Sequence, residues 1–307
     1  MSVDLVRNLW PMLEAVPRRL GWSTEILGQL FMLLSKMLTS LRGILAQQIH
    51  IPTMLEMIVT SYNERQHPCC LDCMATAVEV YGQAPEAQGP FGTLLSRAST
   101  QTFSVMTAAA SPAEVPQLSK AYFELLFRFL LFCPSALVGS QAVLHSSLHL
   151  AHACIGTPGG PERESARAVL SFVSQLAGRC GGQLDRFRAE IDGELRVHGE
   201  GLTRLFFEAL AGSSPPVLWP NLIDALYALL RAFAEPQHQG IVQKWVFNAL
   251  QGNSVCPGLG DEDRKHVMDA VLRLLAESRQ RFKALMLDFA KICHNEMTKD
   301  GLLAYYL

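Results

Sequence analysis

The chain is poor in charge. Asp, Glu, Lys and Arg make up 18% of its 307 residues, and 26 basic against 28 acidic side chains leave a formal net charge of -2. That balance gives neither a basic coat for nucleic acid nor an acidic tail. Long apolar runs are also missing. The stretch Phe129 to Pro161 carries no Asp, Glu, Lys or Arg, but Pro134, Gly139, Gln141, several serines and three histidines interrupt it. A spanning helix needs ~20 mostly apolar residues, so no membrane span is expected. The N-terminus, Met1-Ser-Val-Asp-Leu-Val-Arg7, carries Asp4 and lacks the apolar core of a secretory signal. No alternating strand pattern flanks an Asn-Gly or Asp-Gly turn. Gly-x-Gly-x-x-Gly, a phosphate loop ending in Gly-Lys-Ser/Thr, and Gly-x-Ser-x-Gly are all absent, which removes the commonest nucleotide-binding and hydrolase signatures.

Hydrophobic residues, by contrast, make up 49%, enough for a sizeable core and too many for global disorder. Apolar residues recur at i, i+3, i+4 and i+7. Ile26, Leu27, Leu30, Phe31, Leu34, Met37, Leu38 and Leu41 form one stripe. Val169, Phe172, Val173 and Leu176 form a second, and Leu222, Ile223, Leu226, Leu229, Leu230 and Phe233 a third. The pattern predicts helices near 3–16, 24–41, 51–64, 69–81, 91–109, 114–132, 136–154, 162–178, 184–197, 200–211, 217–234, 239–250, 262–276 and 279–297. Gly/Pro punctuation separates them at Pro17 to Gly21, His67-Pro68, Gly82 to Pro90, Ser111-Pro112, Cys133-Pro134, Gly156 to Pro161, Gly212 to Pro216, Glu235-Pro236 and Gly252 to Gly260. Ser23-Thr-Glu-Ile26 reads as a helix start, and Asp261-Glu-Asp263 suits the positive end of a helix dipole.

About fourteen helices joined by short turns imply antiparallel neighbours. The spacing is roughly 40–47 residues per pair, the period of HEAT and armadillo arrays. Helices such as Tyr122-Phe-Glu-Leu-Leu-Phe-Arg-Phe-Leu-Leu-Phe132 are apolar on more than one face, as a helix that packs on its partner and on both neighbouring repeats must be. The expected fold is an all-α solenoid of HEAT-like antiparallel helix pairs, about six or seven, forming one domain over 1–307. A compact helical bundle would produce the same faces.

Several side chains raise the question of chemistry. The cysteines at 69, 70, 73, 133, 154, 180, 256 and 293 are irregularly spaced within helical patterns, and read as small buried hydrophobes in a reducing compartment. Cys70-Leu-Asp-Cys73, with Cys69 and His67 beside it, has zinc or redox spacing. It lacks a second Cys-x-x-Cys and a βαβ setting, so buried thiols in a first helical turn are the plainer reading. His145, His149 and His152 share one helical face, yet without the Glu of His-Glu-x-x-His and without a carboxylate nearby in sequence. His198-Gly-Glu200 begins like a zinc deaminase signature but no Pro-Cys-x-x-Cys follows. Gly159-Gly160 reads as a turn. The basic knot Arg279-Gln-Arg-Phe-Lys283 reads as a solvated face balanced by Asp261, Glu262, Asp263 and Asp288. No catalytic, cofactor-binding or metal-binding residue is therefore expected.

Short stretches then fit one family in order. Asn8-Leu-Trp-Pro-Met-Leu13, Val59-Thr-Ser-Tyr-Asn-Glu-Arg-Gln-His-Pro-Cys-Cys-Leu71, Val78-Glu-Val-Tyr-Gly82, Leu205 to Leu210, Ala225 to Phe233, Lys244-Trp-Val-Phe-Asn-Ala-Leu250 and Met268 to Cys293 resemble the C-terminal repeats of the transportin-3/importin-13 branch of the importin-β (karyopherin) superfamily. The resemblance implies a HEAT solenoid that is not an enzyme. It implies a receptor working in nucleus and cytoplasm that carries protein cargo through pores lined with nucleoporin Phe-Gly repeats, under control of Ran-GTP. The family's principal Ran-binding region lies in N-terminal repeats that have no counterpart here. In the branch, an arginine-rich helix follows the Trp-Pro helix and pairs with acidic or phosphorylated Arg-Ser cargo. The matching segment, Thr24 to Arg42, offers Lys36 and Arg42 as partner-facing cations, with Glu25, Gln29 and Met32 where arginines would stand. Phospho-Arg-Ser cargo and an importin-13-like cargo range both stay open. So does the alternative of a HEAT-type scaffold without pore transport, and so does a helical enzyme built on the cysteine or histidine cluster.

Overall fold

The structure, a computed structural model, describes residues 2–43, 45, 51–157, 160, 162–178, 184–235, 238–251 and 259–305. Cys180, Cys256, Gly159, Pro161, Pro236 and the last two residues of the apolar C-terminus lie outside these. The described residues form fourteen α-helices and no strand. They fall into two compact units, residues 1–144 and 145–307.

The first unit contains α1 (Ser2–Leu20), α2 (Thr24–Ser40), α3 (Ile51–Arg65), α4 (Pro68–Tyr81), α5 (Gln88–Ala108), α6 (Pro116–Phe132) and the short α7 (Pro134–Val138), and ends inside α8 (Gln141–Ile155). Here α2, α4 and α6 stack in one layer, and α3 packs on α5 in the other. Each layer follows from burial. On α2 the predicted stripe sends Leu27, Leu30, Phe31, Leu34 and Leu38 inward, and on α6 Tyr122, Phe123, Leu125, Leu126, Phe129 and Leu130 are all buried. At about 1.5–3 kcal/mol per buried large side chain, this burial supplies the driving force for stacking. The Ser23 hydroxyl caps α2 by accepting from Ile26 N–H at 3.4 Å.

Two buried tyrosines tie α5 to its neighbours, one within its own layer and one across to the other. Tyr62 of α3 lies 2.6 Å from the Thr102 hydroxyl on α5, which itself donates to Ala98 O at 2.8 Å, so the tyrosine is the donor. Tyr122 of α6 donates to Ser99, also on α5, at 2.9 Å. Helix α5 thus carries two hydroxyls one turn apart that satisfy the phenols of its neighbours on either side, as buried polar groups require.

The second unit holds the rest of α8, then α9 (Arg163–Gly178), α10 (Arg188–Glu208), α11 (Trp219–Arg231), α12 (Gln239–Leu250), α13 (Asp261–Glu277) and α14 (Arg279–Cys293). Helices α9, α11 and α14 stack in one layer, and α10, α12 and α13 follow one another in the other. The predicted stripes of α9 and α11 are fully inside: Val169, Phe172, Val173 and Leu176 on one, Leu222, Ile223, Leu226, Leu229 and Leu230 on the other, with Phe233 following. Asp261-Glu-Asp263 opens α13 as the dipole argument predicted, and Asp263 in addition accepts the Gly260 N–H at 3.1 Å.

Four boundaries differ most from the sequence reading, one of them near the end, where the helix predicted over 279–297 stops at Cys293. Helix α1 runs through Pro17 to Leu20, because a proline in the last turn removes only one hydrogen bond. The predicted 136–154 helix is two, α7 and α8, parted at Gly139-Ser140. The predicted 184–197 and 200–211 helices are one, α10, which passes straight through Gly199 and Gly201. Gly199 is there for space. A Cβ at this position would lie 2.2 Å from the Trp245 ring of α12. No described helix is long and apolar enough to cross a membrane, and the low-charge stretch from Phe129 is divided among α6, α7 and α8.

Candidate partner surfaces and a histidine–glutamate cluster

The predicted cations sit on and just beyond α2. Lys36 is exposed. Arg42 is exposed along its side chain, but its guanidinium donates to Val80 O at 2.6 Å, and Tyr81 returns a hydrogen bond to Arg42 O at 2.8 Å. Arg42 therefore also closes the C-terminal end of α4, where the helix dipole favours a cation. Apolar side chains are exposed nearby: Met32, which stands where the resemblance would place an arginine, and three not singled out from sequence, Met12, Leu33 and above all Trp22, 71% exposed at the turn between α1 and α2. Their signal was present, since Met32 and Leu33 fall off the Leu27–Leu38 stripe.

A second surface lies in the second unit. A groove of about 560 Å³ runs between α12 and α13, floored by Phe247, Leu250 and Met268 and edged by Lys244, Arg264 and Lys265. Phe247 is 49% exposed there. Gln239–Leu250 turns Val242, Trp245, Val246 and Ala249 inward, which leaves Phe247 on the opposite face at helical spacing.

A third surface is charged but internally neutralised. At the start of α10, Arg188 pairs with Glu235, just beyond α11, at 2.6 Å, and between α11 and α14 Asp224 receives Arg279 at 2.8 Å and Lys283 at 2.6 Å. The basic knot is thus balanced mainly by Asp224 of α11 and by Glu277, 4.0 Å from Arg281, and not by the acids expected from sequence proximity. Lys299 takes Asp263 instead, and Asp288 takes Lys291 and the Tyr305 hydroxyl. Partial burial pushes the Asp224 carboxyl up, but the Lys283 ammonium and the Arg279 guanidinium outweigh it and hold it below the usual carboxylate range.

The cysteine motif opens α4. His67 caps the helix, its Nδ1 accepting Cys69 N–H at 3.2 Å, while Cys70 and Cys73 are buried. Neighbouring Cys69 and burial push the Cys70 thiol up, and burial pushes Cys73 up to about 12. Both therefore stay thiols at neutral pH, the poor nucleophiles and ligands that an apolar setting makes of cysteine.

The predicted histidine face divides. His145 and His149 are exposed and His152 is half-buried against Gly201. The structure adds what the sequence stretch lacked. From α10, Glu194 brings a carboxylate oxygen to 3.0 Å from His145 Nδ1, and His198 brings Nε2 to 3.2 Å from the same atom. Glu194 and His198 are one turn apart, 3.8 Å between ligand atoms. Among the described residues these three form a group able to hold a metal ion. The glutamate and second histidine lie 49 and 53 positions from His145, beyond the reach of any local motif.

No protein-family model matches the chain, and no curated protein matches it in sequence. Among solved structures it is similar to Importin13 in its cytosolic state, with a TM-score of 0.75 over 96% of this chain at 13% identity. The chain spans about a third of that protein's length, 32%. Identity this low carries the fold alone, and the fold is that of an importin-like all-α solenoid of packed helix pairs.

Proposed function

We propose that the chain is the cargo-binding segment of a nuclear transport receptor of the importin-β type, acting in protein import into the nucleus and moving between nucleus and cytoplasm. The observation that carries this reading is the fold likeness to Importin13 over nearly the whole chain. The ordered resemblance of short stretches to the transportin-3/importin-13 branch supports it further. In this reading both units belong to one solenoid, Lys36 and Arg42 face protein cargo, and Ran-GTP governs release. The groove between α12 and α13 suits a single aromatic side chain from a nucleoporin Phe-Gly repeat: it is floored by Phe247, Leu250 and Met268 and open at the surface. The chain's role is binding, with nucleotide hydrolysis left to Ran.

The 13% identity favours one alternative, a helical scaffold that holds partners without crossing pores. The test is import in permeabilised cells of the chain fused to a bulky inert reporter. Nuclear accumulation above the reporter alone, with bound cargo released by GTP-locked Ran, is the expected result. Retention of partners without pore passage would leave the scaffold.

A further inference from the structure

Two helices of the second unit point three ligand atoms at one another. Glu194 and His198 stand at i and i+4 on α10, so the helix fixes their separation. His145 closes the set from α8. The half-exposed His145 ring opens the group to solvent, whereas Glu194 and His198 are mostly covered, at 17% and 12% exposure.

The protons do not satisfy this arrangement. His145 Nδ1 faces both the Glu194 oxygen at 3.0 Å and His198 Nε2 at 3.2 Å. A protonated Nδ1 has one hydrogen for two acceptors. An unprotonated Nδ1 turns its lone pair towards a carboxylate. Whichever imidazole nitrogen carries the hydrogen, one of the two contacts to His145 Nδ1 is left without one, which sets a lone pair against a lone pair or against the carboxylate.

A cation relieves this. The three atoms form a triangle with sides 3.0, 3.2 and 3.8 Å. Its circumscribed circle has a radius of about 2.0 Å, the length of a zinc–imidazole or zinc–carboxylate bond. The mean side, about 3.3 Å, matches the ligand–ligand edge of a tetrahedron built on bonds of about 2.05 Å.

We propose that His145, Glu194 and His198 form an open site for a divalent first-row transition metal, zinc by ligand class. Two imidazoles and one carboxylate suit zinc and its neighbours, and disfavour calcium and magnesium, which take oxygen ligands. Three protein ligands leave a fourth position to water or to a donor from outside the chain. The ion would bolt α8 to α10. The site stands on its own geometry and does not depend on the transport reading.

The test is titration of the metal-free chain with Co²⁺, whose visible absorption reports nitrogen and oxygen ligation, followed by displacement with Zn²⁺. The expected result is one equivalent of cobalt with a visible band that zinc bleaches, and an affinity at least tenfold weaker in H145A and in E194Q. His145 is half-exposed, so H145A keeps the fold, which circular dichroism checks. Binding below a tenth of an equivalent, or a band unchanged in H145A, would overturn the site. So would a near-ultraviolet thiolate band alone, which would assign the metal to cysteine.

Discussion

Gly199 has no room for a methyl group. An added Cβ would stand 2.2 Å from one Trp245 ring atom and 2.6 Å from a second, and the indole is itself wedged against Phe233 with ring centres 5.2 Å apart. Overpacking of this kind costs typically about 1–3 kcal/mol. Gly199→Ala is therefore expected to lower the unfolding free energy by that amount, read as a lower urea midpoint with an unchanged slope. In a Trp245→Ala background, the same change is expected to cost less than about 0.5 kcal/mol, because the clash is gone. Sequence reading ended one helix at 197 and began the next at 200, on either side of this glycine, since a lone glycine in a helical pattern is compatible with a stop and with a close approach. The stripes read correctly because burial imposes a period. Leu222, Ile223, Leu226 and Leu229 announce a buried face whatever they touch. The Glu194 partner of His145 did not, because which turn of one helix meets which turn of the next is set by stacking register, and no local pattern records it.

At the scale of elements, neighbouring helices are joined by few but specific polar contacts. Asp224 of α11 bridges to Arg279 and Lys283 of α14. Its folded carboxyl lies below its ordinary value. The stabilisation is therefore fully present above the unfolded pKa of about 3.9 and is lost as pH falls through the depressed folded value. Asp224→Asn is expected to cost about 0.5–1 kcal/mol at pH 7, allowing for solvent screening of its partners. It should also flatten the acid limb below pH 4, as thermal unfolding across pH 2–7 would show. The groove between α12 and α13 gives a different expectation. Phe247 is half-exposed, so Phe247→Ser should change stability by less than about 0.5 kcal/mol. The same variant should weaken binding of a Phe-Gly peptide severalfold by fluorescence anisotropy. A peptide that binds the variant as well as the wild type would remove the groove from the transport reading.

At the scale of the molecule, stability in stacked helix pairs is a sum of local terms, because each pair touches only its neighbours. The hydroxyl pair Tyr62–Thr102 belongs to the first unit and the Gly199–Trp245 contact to the second. Tyr62→Phe removes one buried hydrogen bond, worth about 1 kcal/mol. Its effect and that of Gly199→Ala should add to within about 0.5 kcal/mol in the double variant, measured by denaturant unfolding. A larger coupling would mean that the chain responds as one cooperative block. This architecture was legible early, since helix count, turn spacing and two-faced apolar helices such as α6 all point to stacking. The division of the chain inside α8 was not, because the Gln141–Ile155 stripe continues across it without a change of period.

The Gly199–Trp245 contact also has a historical consequence. A larger side chain at 199 needs a smaller one at 245 first, so the order of the two changes matters. Descendants of this sequence with a side chain at 199 should therefore lack the indole at 245, and the two columns, 46 positions apart, ought to covary across relatives.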